Sequence, residues 1–248
     1  MSPTTGTPLL DARALRRSFG GIHAVNECSI AVQPHTITGL IGPNGSGKTT
    51  AFNIITGFLR ADSGDITFDG ARHGRPDPRR LYRAGLSRTF QQARVFPELS
   101  VLENLVVAAR RDWKALFRQR ITDDDHRQAT EMLEEFNLAG HASSRAAQLS
   151  YGQRKLLDFA AALMGDPKLV LLDEPTAGVN PVMISTMERR VRELHRRGVT
   201  FLIVEHDMNF VMRVCDPVIV LDRGCPIVEG SPAQVQSDPL VLQAYLGE

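Results

Sequence analysis

The chain has 248 residues, enough for one large α/β domain or for a core with an inserted subdomain. Hydrophobic residues at 42% and charged residues at 23% are ordinary for a globular protein, and a net charge of +1 excludes the global basic field that would make nucleic acid the main partner. No apolar run approaches the ~20 residues needed to span a bilayer. Residues 1–8 lack the basic and apolar regions of a signal peptide and read as a short flexible lead-in. Cys28, Cys215 and Cys225 are scattered and form no C-x-x-C, so they read as reduced, buried thiols of a cytosolic protein.

Strands are predicted over Leu9–Ser18 and Glu27–Val32, punctuated by a turn at Phe19-Gly20-Gly21. Phe19 either packs or offers a flat face to a purine base. A strand over Thr36–Ile41 then runs into Gly42-Pro43-Asn44-Gly45-Ser46-Gly47-Lys48-Thr49, which fits the phosphate-binding pattern G-x-x-x-x-G-K-[ST]. Apolar Ala51, Ile54 and Ile55 follow at helical spacing, completing the strand, loop and helix that the pattern requires. The glycines let the backbone turn tightly and approach a phosphate without an obstructing Cβ. Successive backbone N–H groups then face one concavity, reinforced by the helix dipole. Lys48 reaches β- and γ-phosphates, and the Thr49 hydroxyl is a ligand for Mg²⁺. This loop specifies a nucleoside triphosphate without separating a transporter motor from a kinase, a GTPase or a helicase.

Gly57 is expected to cap the loop helix. Asp65–Asp69 reads as a strand turning at Asp69-Gly70, and Ala71–Arg83 as a loop and short helix with a solvated basic face. Leu86–Phe90 reads as a strand ending at Gln91-Gln92. Val101–Ala109 and Arg127–Leu138 read as helices, with Trp113–Asp125 a charged loop between them. This helical stretch, flanked by alternating strands and helices, suggests an inserted subdomain over about Ala93–Gly165. Within it, Ser150 and Gln153 of Leu149-Ser150-Tyr151-Gly152-Gln153 fit a capping box. Leu156, Phe159, Ala160, Leu163 and Met164 continue as one apolar face. Helix capping does not explain Tyr151-Gly152 in the first turn.

Leu169-Val170-Leu171-Leu172 is an unbroken apolar run, as expected of a strand buried on both faces of a parallel sheet. It ends at Asp173-Glu174-Pro175, on the sheet edge where open α/β folds bind ligands. One carboxylate there can hold Mg²⁺ and the next can activate a water attacking a γ-phosphate. Met183–Arg196 reads as an amphipathic helix with Ile184, Met187, Val191 and Leu194 inward, stopped by Gly198. A second buried strand, Val199–Val204, stops at Glu205-His206. His206 is either a surface residue or a contact to the γ-phosphate. Val218–Leu221 and Pro226–Val228 read as a last strand pair, followed by short helical turns.

Taken in order, GPNGSGKTT (42–50), Gln91 after Thr89-Phe90, LSYGQ (149–153), LVLLDEP (169–175) and IVEHD (203–207) resemble the nucleotide-binding subunit of ABC transporters over essentially the whole chain. The resemblance implies a P-loop ATPase core at 1–92 and 166–248, with a mostly parallel sheet and an N-terminal antiparallel β subdomain. It also implies a helical subdomain at 93–165 that carries the signature segment. Phe19 would stack on adenine, and Gly42, Pro43, Asn44, Gly45, Ser46, Gly47, Lys48, Thr49 and Thr50 would hold the phosphates of ATP. Thr49, Gln91 and Asp173 would surround Mg²⁺, Glu174 would be the catalytic base, and His206 would respond to the γ-phosphate. Ser150, Tyr151, Gly152 and Gln153 would cover the nucleotide of a second ATPase subunit, identical or different. Ala93–Leu99 would form the groove for an integral membrane permease. The implied location is the cytoplasmic face of the inner membrane, peripherally bound, with an extracytoplasmic solute-binding protein as an indirect partner.

FGGIHAVNE (19–27), SRTFQ (87–91), FPELSVLENL (96–105), LSYGQRK (149–155), AGVNP (177–181) and AYLGE (244–248) are similar to the ATPases of branched-chain and hydrophobic amino-acid importers. The ATPase of lipopolysaccharide export resembles the same branch, so export stays open beside import. A non-transport ABC ATPase would be expected to carry a long coiled-coil insertion or a second cassette, and this chain has neither. Tyr151 departs from the common LSGGQ, and Asn180 stands where many members have aspartate. Both occur in the importer branch.

Overall fold

The computed structural model describes residues 6–109 and 122–246. In chain order the elements are β1 (Leu10–Phe19), β2 (Ile22–Val32), β3 (Ile37–Ile41), α1 (Lys48–Ile55), β4 (Ser63–Phe68), β5 (Ala71–Arg72), α2 (Pro78–Ala84), β6 (Leu86–Arg88) and α3 (Val101–Ala108). They continue with α4 (Asp123–Glu135), α5 (Tyr151–Leu163), β7 (Leu169–Asp173), α6 (Pro181–Arg196), β8 (Thr200–Val204), α7 (Met208–Val214), β9 (Val218–Asp222), β10 (Cys225–Gly230), α8 (Pro232–Ser237) and α9 (Pro239–Leu246).

One sheet is antiparallel, in the order β2-β1-β4-β5. The other has the order β10-β9-β3-β8-β7-β6, parallel throughout except for the β9–β10 pair. Its strands β7, β8 and β9 carry long apolar runs because each face meets a different core. Val170, Leu172, Phe201, Ile203, Val218 and Val220 pack into the core shared with the helices α3 to α6. Their neighbours Leu169, Leu171, Leu202, Val204, Ile219 and Leu221 pack with α1 and the antiparallel sheet. The period-two alternation of strand side chains thus divides each run between two cores.

The C-terminal ends of β3, β6, β7 and β8 lead directly into the phosphate loop, Thr89–Gln91, Asp173–Glu174 and Glu205–His206. Parallel pairing puts these four ends on one edge of the sheet, where open α/β folds bind ligands.

Several boundaries differ from expectation for local reasons. β2 begins at Ile22, not Glu27, because pairing continues to Phe19 opposite Ile22; Phe19 is therefore a strand residue, with Gly20-Gly21 alone forming the turn. Residues 71–72 join the sheet as β5, and α2 follows under an Asp77 cap. β6 stops at Arg88, two residues short. α4 starts at Asp123 because Thr122 and Asp125 form a capping box over three acidic residues in the first turn. The expected loop at Trp113–Asp125 lies outside the described residues up to 121, and its last three residues are helical. α6 gains two residues at its start, with Pro181 first and Asn180 as cap.

Candidate active site

The phosphate loop is built on glycines that cannot be replaced freely. Gly42 has φ +149°, and a Cβ there would lie 2.0 Å from the carbonyl oxygen of Leu221 in β9. Gly47 has φ +97°, and a Cβ there would lie 2.3 Å from the carbonyl oxygen of Ala24 in β2. Gly45, at φ +74°, faces open space, and it is exposed together with Asn44 and Thr49. The loop is thus pressed against both sheets at two points and open at its crest. Lys48 curls over it, donating from Nζ to the carbonyls of Gly42 (2.7 Å) and Pro43 (2.8 Å) and to Ser46 Oγ (3.3 Å). The N-terminus of α1 carries no side-chain cap and no acidic residue in its first turn, which leaves its dipole to an anion.

Asp173 ends β7 almost fully buried. Its Oδ2 accepts from Arg88 Nη2 at 2.7 Å. Burial pushes the carboxyl up from the usual aspartate range, and Arg88 opposes that. Glu174 follows in the left-handed region, at φ +45°. That conformation is costly for a residue with a Cβ, and three contacts hold it. Its amide donates to the Val204 carbonyl (2.9 Å), its Oε2 accepts from Gln91 Nε2 (2.8 Å), and its carbonyl accepts from Lys155 Nζ. His206 Nδ1 stands 3.9 Å from the same Oε2, with the imidazole exposed. Gln91, Glu174 and His206 therefore meet, beside Asp173.

Below them lies a layer of buried polar groups that the motif reading passed over. Glu205 is fully buried and accepts from the Thr176 amide and hydroxyl on one oxygen and from the His206 and Asp207 amides on the other. Lys155, on α5, is 5% exposed, and burial lowers its pKa against the pull of Glu205, Glu174, Asp158 and Asp173. Asp158, one turn further along, accepts from the amides of Phe90 and Arg94 on either side of Gln91, and burial raises its carboxyl to about 6. A signal was present for Lys155: it sits four residues before Phe159, on the apolar face of α5.

Ser150 and Gln153 form the expected capping box. The Tyr151 hydroxyl reaches the Gln91 carbonyl at 3.5 Å, and its ring lies against Gly178. The side-chain hydrogen bonds shown for 150–153 run to one another, to Gln91 and to His141, while Lys48 bonds to carbonyls of its own loop. Phe19 is 46% exposed, and the Arg17 guanidinium lies 4.8 Å from its ring centroid. Burial pushes the Cys28 and Cys215 thiols up to about 12, as expected of inert core residues.

The donors at this edge fit the groups that the pattern implies. The glycine cradle, the lysine and the uncapped helix suit polyphosphate. The Thr49 hydroxyl, the Gln91 amide and Asp173 are hard oxygen donors. Among the described residues no cluster of three or more His, Cys, Asp or Glu could hold a metal ion.

Comparison with known proteins gives the same reading. Residues 25–177 match the family described as ABC transporter, and residues 225–248 match that described as branched-chain amino acid ATP-binding cassette transporter. The chain is 38% identical to the high-affinity branched-chain amino acid transport ATP-binding protein BraF of Pseudomonas aeruginosa, over 97% of this chain and 98% of that one. It is 38% identical to LivG of Escherichia coli K12, of the same description, over the same shares. Among solved structures, a nucleotide-free ATP-binding cassette from an ABC transporter superposes with a TM-score of 0.87 at 35% identity, covering 98% of this chain and all of that one. An ABC transporter cassette in its ADP conformation gives 0.86 at 36% identity with the same coverage. The chain belongs to the ABC transporter family and is one of its nucleotide-binding ATPase domains.

Proposed function

We propose that this chain is the ATP-hydrolysing motor of an importer for branched-chain or other hydrophobic amino acids, bound peripherally to permease subunits at the cytoplasmic face of the inner membrane. The observation that carries the catalytic part is the 2.8 Å hydrogen bond from Gln91 to Glu174, beside Asp173 and on the same sheet edge as the phosphate loop. The substrate class rests on the names of the two relatives and on the family matched by residues 225–248.

Residues 42–50 cradle the phosphates through backbone N–H groups, with Lys48 leaving its loop carbonyls for the β- and γ-oxygens. Thr49, Gln91 and Asp173 would hold Mg²⁺, whose charge would offset the charge building on the phosphates. Glu174 orients a water in line with the γ-phosphorus and takes its proton. His206 contacts the γ-phosphate, and its backbone is fixed by Glu205. Phe19 stacks on adenine, its other face backed by Arg17.

Residues 1–92 and 166–248 form the core and 93–165 the helical subdomain. Ser150, Tyr151, Gly152 and Gln153 cover the nucleotide of a second ATPase subunit, with the N-terminus of α5 facing its phosphates. The exposed Phe58 and Phe96, near Gln91 in sequence or through the Phe90 ring, offer an apolar surface for a permease helix.

A deletion strain tests this reading. Loss of ATP-dependent uptake of labelled leucine, restored by the wild-type chain and not by Glu174→Gln, is the expected result. Unchanged uptake of leucine, isoleucine and valine overturns the substrate class.

A further inference from the structure

Arg88 is a fully engaged arginine in the middle of the site, yet none of the roles above uses it. Its side chain is 7% exposed and that of Asp173 is 5% exposed. Each guanidinium nitrogen has an assigned acceptor: Nη2 donates to Asp173 Oδ2 at 2.7 Å, Nη1 to Asn53 Oδ1 at 2.7 Å and Thr56 Oγ1 at 2.8 Å, and Nε to the Thr89 carbonyl at 3.3 Å. The rings of Phe52, Phe90 and Phe58 surround its plane, with centroids at 4.9, 4.8 and 5.4 Å. One side chain therefore joins the helix after the phosphate loop, the end of β6 just before Gln91, and the end of β7.

A buried ion pair is weak evidence for stability, since apolar residues of similar volume often serve as well. A cation beside a carboxylate that binds a metal also weakens the attraction to that metal. What the fork supplies is orientation. A planar guanidinium pinned at three points fixes the direction of the carboxylate in a way that a lysine cannot. Arg88 takes Oδ2, and Oδ1 carries no hydrogen bond among the described residues.

We propose that Arg88 is a positioning residue that aims Asp173 at Mg²⁺ and so sets the Mg²⁺ requirement of nucleotide binding. This rests on the assignment of Asp173 above. Partners one layer behind a metal ligand change metal affinity by roughly 10- to 100-fold when removed.

The test is binding of the fluorescent nucleotide mant-ATP to the full chain, titrated with MgCl₂ and separately in EDTA. In Arg88→Gln the Mg²⁺ concentration for half-maximal effect should rise about 10-fold or more, with affinity in EDTA changed less than about twofold. Arg88→Lys should fall between the two, since it keeps the charge and loses the fork. Asn53→Ala, which removes one guide and leaves the pair, should shift in the same direction by less, and it keeps the test open if Arg88→Gln does not fold. Wild-type binding that ignores Mg²⁺ would sink the metal assignment itself. A wild-type Mg²⁺ dependence left unchanged or tightened in Arg88→Gln and Arg88→Lys would overturn the positioning role alone.

Discussion

Asp158 stores a pH-dependent penalty whose size follows from its surroundings. It is 8% exposed, and burial raises its carboxyl from 3.8 to about 6 despite the Phe90 and Arg94 amides and the charges of Lys155 and Arg94. Between those values the folded chain holds more protons at this site than the unfolded chain, so stability falls as pH rises. The contribution is fully present below the unfolded value and is lost once pH passes the folded one. A gap of about two pH units at about 1.4 kcal/mol each makes about 3 kcal/mol in all. About 1.3 kcal/mol of that falls between pH 5 and 7. Asp158→Asn removes the titration and keeps an acceptor oxygen for one of the two amides, since Phe90 N–H and Arg94 N–H bond different carboxylate oxygens; the lost bond shifts the whole curve without changing its dependence on pH. Melting temperatures of both proteins, measured by scanning fluorimetry at several pH values, isolate this site from the other carboxylates. The wild type should lose about 3–5 °C relative to the variant between pH 5 and pH 7, at about 2–4 °C per kcal/mol for a chain of this size. Parallel curves, with a difference constant to about 1 °C, would refute the link between burial and titration.

Glu174→Gln should bind ATP as the wild type does and hydrolyse it roughly 10²- to 10⁴-fold more slowly, measured as phosphate release; turnover at the wild-type rate would remove Glu174 as the base. Lys48→Ala should abolish mant-ATP binding, and unchanged affinity would count against the phosphate-loop reading. Gly47→Ala should destabilise the apo chain by about 2 kcal/mol or more, since a left-handed residue with a Cβ costs about 1–2 kcal/mol before its clash with the Ala24 carbonyl. Gly45→Ala, left-handed but facing open space, should cost about 1 kcal/mol, and equal melting points for the two variants would contradict the packing described at Gly47.

The sequence was informative where function needs consecutive residues. A phosphate loop is one stretch of backbone, so its glycines, lysine and threonine lie in one pattern. The two-sided burial of the parallel strands left unbroken apolar runs that could be read directly. Boundaries set by side-chain caps were harder: the capping box at Thr122–Asp125 moved α4 forward by four residues, and cross-strand pairing carried β2 back to Ile22. In both cases a partner outside the periodic segment decided where the segment began.

The buried charges were harder still, because a charge among apolar residues has two meanings in one dimension. It either breaks the buried face or has a partner brought in by the fold. Arg88 and Asp173 are 85 residues apart, Phe90 and Asp158 are 68, and Thr176 and Glu205 are 29. Only the parallel order β8-β7-β6 and the packing of α5 beneath it bring these pairs together. Within short motifs the pattern still gave a clue: Arg88 lies inside Ser87–Gln91, and Lys155 follows the capping box of α5 by two residues. Each is a long cation at a position where periodicity calls for an apolar side chain, and each is satisfied at the end of β7, Arg88 by the Asp173 carboxylate and Lys155 by the Glu174 carbonyl. Desolvating two cations there is tolerable because the strand end supplies a carboxylate and the strained carbonyl of Glu174 to receive them. The residues that perform the chemistry therefore lie in short motifs that can each be read in one dimension, while those that hold them in place are paired across 29 to 85 residues.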